Sequence, residues 1–253
     1  MSFIDTKKLI TGSVKISFGL ILFFSLAVIA SAQEVWNDTD WTSYDTITID
    51  SSNIDDDLID FPVYLDLSDL SSIFWSSTPS STGLTGTDIR VTTGTSSPYE
   101  IPRELVFASS TLETGELHFK APLISSTTDT SFRIYFNGTT TGDYASTTTN
   151  GAQNVWSDYD AVWHFNEDPS TEALKDSTAN NNDGTSEGSM TSTDLVAGKV
   201  GQAIAFDEVN DRIGVSDDAS LTFPNGDWSY STWVNLDDNS GSNFQYFTSW
   251  GTV

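Results

Sequence analysis

The feature that most constrains the fold is a period-two alternation of apolar residues in short runs, separated by glycine, asparagine and aspartate. The stretch Gly198–Leu236 shows this alternation most clearly, with Ile213 and Val215 on either side of Gly214. Such spacing places one set of side chains on one face of an extended strand. The stretch therefore predicts three short strands, the last running from Trp228 to Leu236. We expect their buried face to consist of Ile204, Phe206, Ile213, Trp228, Tyr230 and Val234.

The same alternation recurs between residues 36 and 140. It separates runs rich in serine, threonine, glycine and aspartate, and no window shows a sustained 3.6-residue apolar period. Strands with one apolar face at this spacing are typical of an antiparallel sandwich. We therefore predict an all-β chain that begins with an antiparallel β-sandwich. The alternating apolar residues are Ile47, Ile49, Phe61, Val63, Leu65, Leu67, Ile89, Val91, Leu117, Phe119, Phe132, Ile134 and Phe136.

Residues 1–32 have the three parts of a signal peptide. Lys7, Lys8 and Lys15 precede the apolar run Ile16–Ile29, and an Ala-Ser-Ala sequence at 30–32 follows as a cleavage site. The alternative is an uncleaved anchor, because the apolar run approaches the length that spans a bilayer. In both cases we expect the remainder to be exported, to the periplasm, the cell surface or the extracellular space.

Charge and cysteine content exclude several classes of function. The 253 residues include 36 acidic and 10 basic side chains, for a formal net charge of −26. Nucleic acids and anionic membranes require a basic surface, so we expect no nucleic-acid partner. Contact with a membrane is expected only through the signal segment or through further C-terminal regions. The chain has no cysteine, which excludes disulfides and thiolate metal sites and, for an exported protein, favours a bacterial or archaeal source.

Five ordered motifs resemble the bacterial domain of unknown function DUF2341. They are WTSYDTITID, DFPVYLDL, GTDIRVTT, PYEIPRE and LHFKAPLISSTTDTSFRIYFNG, and they cover roughly residues 36–150. The last motif usually ends in Tyr-Tyr-Gly-Asn in that family, whereas this chain has Tyr-Phe-Asn-Gly at 135–138. The family has no settled activity, so the resemblance implies an architecture and no chemistry.

A second resemblance covers the C-terminal half. The run GKVGQAIAFDEVNDRIGV, followed by WSYSTWVNL, is similar to laminin-G-like domains, which are concanavalin A-like jelly rolls. After the signal peptide at 1–32, the two resemblances imply a DUF2341-like sandwich at 33–140 and a jelly roll at 155–253, opening with a strand at Ala161–Phe165. The polar, turn-rich residues 141–154 between them are typical of a linker. About ninety residues follow Trp163, fewer than a jelly roll needs, so we expect a partial jelly roll and a chain that is a fragment of a longer protein.

The loop Asp176–Gly184 is dense in the oxygen ligands that Ca²⁺ prefers. Laminin-G-like domains often bind Ca²⁺ through such a loop and a nearby turn, here Phe206–Asp211. The resemblance thus implies a calcium site formed by Asp176, Asn182 and Asp183, with Asp207 or Asp211. The alternative is a turn that needs no metal, because Asn and Asp side chains cap their own backbone.

No catalytic motif is present. The Glu-x-Asp-x-x-Glu spacing of glucanases on concanavalin A-like folds is absent, as is the Gly-x-Ser-x-Gly turn of serine hydrolases. His118 and His164, the two histidines, each lie between apolar residues in the middle of a predicted strand. We expect both to be ordinary half-exposed strand residues, and we expect the protein not to be an enzyme.

Trp233 lies on the opposite strand face from Trp228 and Tyr230. It could stack on a sugar ring, or a loop or neighbouring side chain could cover it. We expect a non-catalytic cell-surface binding or adhesion module for a glycan or a surface protein, assisted by calcium. Two alternatives are a structural or sensing region of a larger ExbB/TolQ-like membrane assembly, since DUF2341 domains also precede such proteins, and an accessory carbohydrate-binding module of a polysaccharide-degrading enzyme.

Overall fold

The computed structural model describes residues 35–36, 38–77, 88–94, 97–138, 143–222 and 227–236. All of them belong to one compact unit. The predicted signal peptide lies outside the described residues. Within the described ranges, no helix has the length and apolar character needed to cross a membrane.

The described residues contain ten β-strands and one short α-helix. The first six strands are β1 (Ser43–Ile49), β2 (Leu58–Asp66), β3 (Arg90–Thr93), β4 (Arg103–Ser109), β5 (Thr114–Ile124) and β6 (Thr130–Phe136), and α1 (Ser72–Ser77) lies between β2 and β3. The later strands are β7 (Gly184–Glu187), β8 (Leu195–Ala197), β9 (Gln202–Ile204) and β10 (Arg212–Val215). Turns of 3₁₀ helix occur at Asp38–Asp40, Ser51–Asn53, Leu67–Asp69, Ala152–Asn154, Ser192–Asp194 and Ala219–Leu221.

Strands β1–β6 form two antiparallel three-stranded sheets, with strand orders β1-β6-β3 and β2-β5-β4. Apolar side chains from both sheets meet between them; the rings of Phe119 and Phe132, for example, lie 4.9 Å apart. Helix α1 adds Phe74, whose ring contacts Phe136 edge-on. The prediction of an all-β chain with an antiparallel sandwich is confirmed. The buried core consists of Leu65, Leu67, Leu70, Phe74, Trp75, Ile89, Val91, Ile101, Leu117, Phe119, Ala121, Ile124, Phe132, Ile134 and Phe136.

Strand β5 is buried on both faces. Leu117, Phe119 and Ala121 point into the apolar core. Because successive side chains of a strand point to opposite faces, Glu116 and His118 lie on the other face, and both are nevertheless buried. A second layer of chain must therefore cover this outer face of the β2-β5-β4 sheet.

Residues 143–154, within the predicted linker, are held against the sandwich by polar contacts. The Arg103 guanidinium donates to Asp143 Oδ1 over 2.7 Å. The Tyr144 hydroxyl donates to Glu100 Oε2 over 2.9 Å, and the Arg103 backbone amide donates to the Asn150 carbonyl over 3.3 Å. These contacts direct the chain toward Trp156 and the residues that cover β5.

The C-terminal half contains two small antiparallel pairs, β7 with β10 and β8 with β9. Strands β9 and β10 correspond to the first two strands predicted in Gly198–Leu236. The expected strand at Ala161–Phe165 is not assigned; Trp163 forms only an isolated bridge with Asp176.

The third predicted strand is also wrong, because no strand is assigned in residues 227–236. The expected buried face is wrong as well. Phe206, Trp228, Tyr230 and Val234 are all exposed, and only Ile204 and Ile213 are half-buried. Alternation identifies which side chains can share a face, but burial needs a facing layer, and the described residues supply none over these side chains.

Candidate functional site

A cluster of two glutamates and two histidines lies on the outer face of the β2-β5-β4 sheet. Glu104 on β4 is directly opposite His118 on β5 in the strand register, and Glu116 precedes His118 by two positions on the same face. His164 comes from the irregular segment that follows Trp163. The cluster thus joins two adjacent strands to a segment far along the chain.

The four side chains form a continuous hydrogen-bonded chain. Oε1 of Glu116 lies 2.7 Å from Nε2 of His118 and 3.2 Å from Nδ1 of His164. The other nitrogen of His164, Nε2, lies 3.1 Å from Oε2 of Glu104. His164 therefore bridges the two carboxylates through its two ring nitrogens.

Glu104 also receives hydrogen bonds from outside the cluster. Ser177 Oγ donates to Oε1 over 2.6 Å, and the indole N–H of Trp156 donates to Oε2. The Trp156 ring lies 5.1 Å from the ring of His118 and 5.5 Å from that of His164. Trp156 thereby covers the cluster, and the side chain of Glu116 is only 2% exposed.

The environment shifts the pKa values of these groups in opposite directions. Burial disfavours the charged form of His164, but hydrogen bonds to Glu104 and Glu116 outweigh it and raise the His164 pKa to about 9. Burial likewise opposes ionisation of Glu116, but hydrogen bonds from His118 and His164 lower its pKa to about 2. For Glu104 the hydrogen bond from His164 also overcomes burial and lowers the pKa. The site is a buried imidazolium held between two carboxylates.

The expectation that both histidines are half-exposed strand residues is wrong. Each histidine side chain is only 9% exposed, and His164 lies outside any strand. A signal for half of the site was present in the sequence, because Glu116, His118 and Lys120 alternate with core residues and so share one face of β5. Nothing local indicated that His164 would complete the cluster. Three of the four residues, Glu116, His118 and His164, bring ligand atoms within 4.8 Å of one another and could hold a metal ion.

The predicted calcium loop is closed by its own hydrogen bonds. The carboxylate of Asp176 is buried and accepts from the amides of Val162, Thr178 and Asn182 and from the Thr178 hydroxyl, over 2.8–3.0 Å. Asp183 accepts from the Asp176 amide over 3.0 Å and pairs with Lys175. These contacts are those of the turn that needs no metal. Calcium binding at this loop stays a prediction.

The loop borders a shallow polar cavity of about 280 Å³. Its lining is formed by Asn180, Asn181, Asn182, Asp183, Ser216, Asp217 and Asp218. Asp207 and Asp211 are not part of this lining. They form a separate exposed turn, in which Asp207 Oδ1 accepts from the amides of Val209 and Asn210, and Asp211 Oδ2 accepts from the Asp207 amide over 3.1 Å.

The predicted ligand-binding tryptophan is on the surface. Trp233 is 73% exposed, and Trp228 and Tyr230 are 56% and 49% exposed. Val234 and Leu236 are also exposed. Residues 228–236, which we term the aromatic segment, thus present five large apolar side chains on a surface that is otherwise strongly acidic.

Comparisons with protein-family models, with curated proteins and with solved structures found no match to this chain. The resemblances to DUF2341 and to laminin-G-like domains therefore stay predictions.

Proposed function

We propose that this protein is an exported, non-catalytic module that binds a glycan at the cell surface through the aromatic segment. The observation that carries the proposal is the exposure of Trp228, Tyr230 and Trp233 within six residues. Large apolar side chains grouped on a surface mark interaction sites more often than isolated ones do. Aromatic rings offer a flat apolar face on which a sugar ring can stack, together with a polar N–H or O–H.

The net negative charge of the protein favours a neutral glycan over an anionic one. With 36 acidic and 10 basic side chains, the protein repels polyanions at low ionic strength. A neutral polysaccharide is therefore favoured over a sulfated or uronate-rich one. The described acidic residue nearest to the aromatic segment in sequence is Asp227, directly before it, and Asp227 is exposed, as are Asp217 and Asp218.

Binding to an array of neutral and anionic glycans tests the proposal. We expect neutral glycans to bind and Trp233→Ala to weaken that binding at least about tenfold, the equivalent of about 1.4 kcal/mol. Leu112→Ala is the matched control, because Leu112 is 72% exposed in the turn between β4 and β5. Its truncation should leave glycan binding unchanged.

Circular dichroism establishes that each variant is folded. A folded Trp233→Ala protein that binds as the parent does would overturn the role of the aromatic segment. Binding confined to surface proteins, with no glycan bound, would overturn the choice of ligand while leaving the segment as the binding surface.

A further inference from the structure

We propose that Glu116, His118 and His164 form a binding site for a zinc ion, with Glu104 as the outer partner that orients His164. This inference is independent of the glycan proposal. The three ligand atoms are Oε1 of Glu116, Nε2 of His118 and Nδ1 of His164. They converge beneath Trp156 from β5 and from the segment after Trp163.

The separations of the ligand atoms suit a small cation. Oε1 of Glu116 is 2.7 Å from one nitrogen and 3.2 Å from the other, and all three atoms lie within 4.8 Å of one another. Tetrahedral zinc holds nitrogen and oxygen ligands at about 2.0–2.2 Å, which separates neighbouring ligand atoms by about 3.4 Å. Reaching that geometry requires Oε1 of Glu116 and Nε2 of His118 to move apart by about 0.7 Å. Three protein ligands leave the fourth position to a solvent molecule.

The outer contacts of His164 are those of a metal ligand. A ligating histidine usually donates its other ring N–H to a carboxylate, which fixes its tautomer and its orientation. Glu104 accepts from Nε2 of His164 over 3.1 Å and leaves Nδ1 directed at Glu116. Ser177 and Trp156 hold the Glu104 carboxylate in turn.

Charge gives a second, independent reason. Glu104 and Glu116 bring two negative charges into a buried site, and a protonated His164 balances only one of them. Oε2 of Glu116 has no hydrogen-bond partner among the described residues. A buried carboxylate oxygen without a donor is costly unless a cation compensates it. One divalent ion bound by two neutral imidazoles balances both carboxylates.

The ligand types select the metal. Two imidazoles and one carboxylate suit zinc and its neighbours in the transition series. Calcium takes six to eight oxygen ligands, so this site is distinct from the calcium loop predicted at Asp176–Gly184.

The test uses the full chain, purified without a histidine tag, stripped with EDTA and then titrated with Zn²⁺. We expect uptake of one equivalent, a rise in melting temperature, and intense visible absorption when Co²⁺ replaces zinc. His118→Gln and His164→Gln should abolish stoichiometric uptake, and Glu104→Gln should weaken it about 10–100-fold. The control is Asp55→Asn with Asp56→Asn, which removes two exposed carboxylates outside the cluster and should leave zinc uptake unchanged.

X-ray absorption at the zinc edge of the unmutated protein keeps the test decisive if a histidine variant does not fold. Two imidazole ligands per zinc support the site, since His118 and His164 are the only histidines. Zinc bound by oxygen alone, or no uptake by the folded protein at micromolar Zn²⁺, would overturn it.

Discussion

Nε2 of His164 lies 3.1 Å from Oε2 of Glu104, although sixty residues separate the two in the chain. This hydrogen bond holds the irregular segment that contains His164 against strand β4. Both side chains are largely buried, so the pair has lost most of its hydration. The effect of each buried side chain on the unfolding free energy can be measured by substituting or titrating that side chain alone.

Glu104→Ala should destabilise the protein by about 3–5 kcal/mol, because it leaves the charged His164 buried without one of its partners. The Trp156 and Ser177 donors lose their acceptor in the same change. Urea unfolding in EDTA measures the effect. Asp158→Ala is the control: Asp158 pairs with Lys120 but is 66% exposed, so its loss should cost only about 0–1 kcal/mol.

The unfolding free energy of the metal-free protein should decrease both at acidic and at alkaline pH. His164 has a folded pKa of about 9, above its ordinary 6.5, so its contribution is complete below about pH 6.5 and is lost as pH rises through 9. Glu116 has a folded pKa of about 2, below its ordinary 4.5, so its contribution is present above about pH 4.5 and is lost as pH falls through 2. The contribution of the pair is therefore greatest between about pH 4.5 and 6.5.

Urea unfolding at a series of pH values in EDTA checks this dependence. The titratable groups that interact with His164 are Glu104, Glu116, His118 and Glu167. His164→Gln should remove the alkaline decline, and comparison with the parent cancels the repulsion within this acidic chain. Parallel curves for parent and variant from pH 6.5 to 9 would contradict the assignment to His164.

Asp176→Ala should cost more than about 2 kcal/mol in EDTA, because four hydrogen bonds to a buried carboxylate are lost together. Asp168→Ala is the matched change in an exposed turn, where Asp168 Oδ1 accepts from Ser170, and should cost about 1 kcal/mol. Thermal melting in EDTA and in millimolar Ca²⁺ measures both. A melting temperature that Ca²⁺ raises in the parent but not in Asp176→Ala would instead make Asp176 a calcium ligand.

Gly201→Ala should destabilise the protein by at least about 1 kcal/mol. Gly201 has a φ of +54°, and a Cβ there would lie 1.8 Å from Oε2 of Glu116. Gly214→Ala is the control, because its Cβ would crowd only Oε1 of Glu187, at the end of a half-exposed side chain, and its φ is not positive. Equal melting temperatures for the two variants would show that the approach of Gly201 to Glu116 is unimportant.

Alternation in the sequence was sufficient to predict the sandwich, because Leu117, Phe119, Phe132 and Ile134 are buried by strands that pair within one hundred residues. It failed for Trp228, whose burial would need a facing layer that alternation does not describe. It failed also for His164, since the partner that buries this histidine is a non-local carboxylate. Apolar alternation in the sequence indicates the strand face on which a side chain lies. Tertiary packing determines whether that face is buried and which residues contact it.

Strand β5 has a further consequence for folding. If β5 shifted by one residue against β2 and β4, Glu116 and His118 would enter the apolar core. Leu117 and Phe119 would then face polar side chains to which they cannot hydrogen-bond. A one-residue slip exchanges the faces of every side chain in a strand, and here both faces oppose the exchange. The buried polar groups therefore help to select the native register of the central strand. A misaligned hairpin would lose both sets of buried contacts and gain none in return.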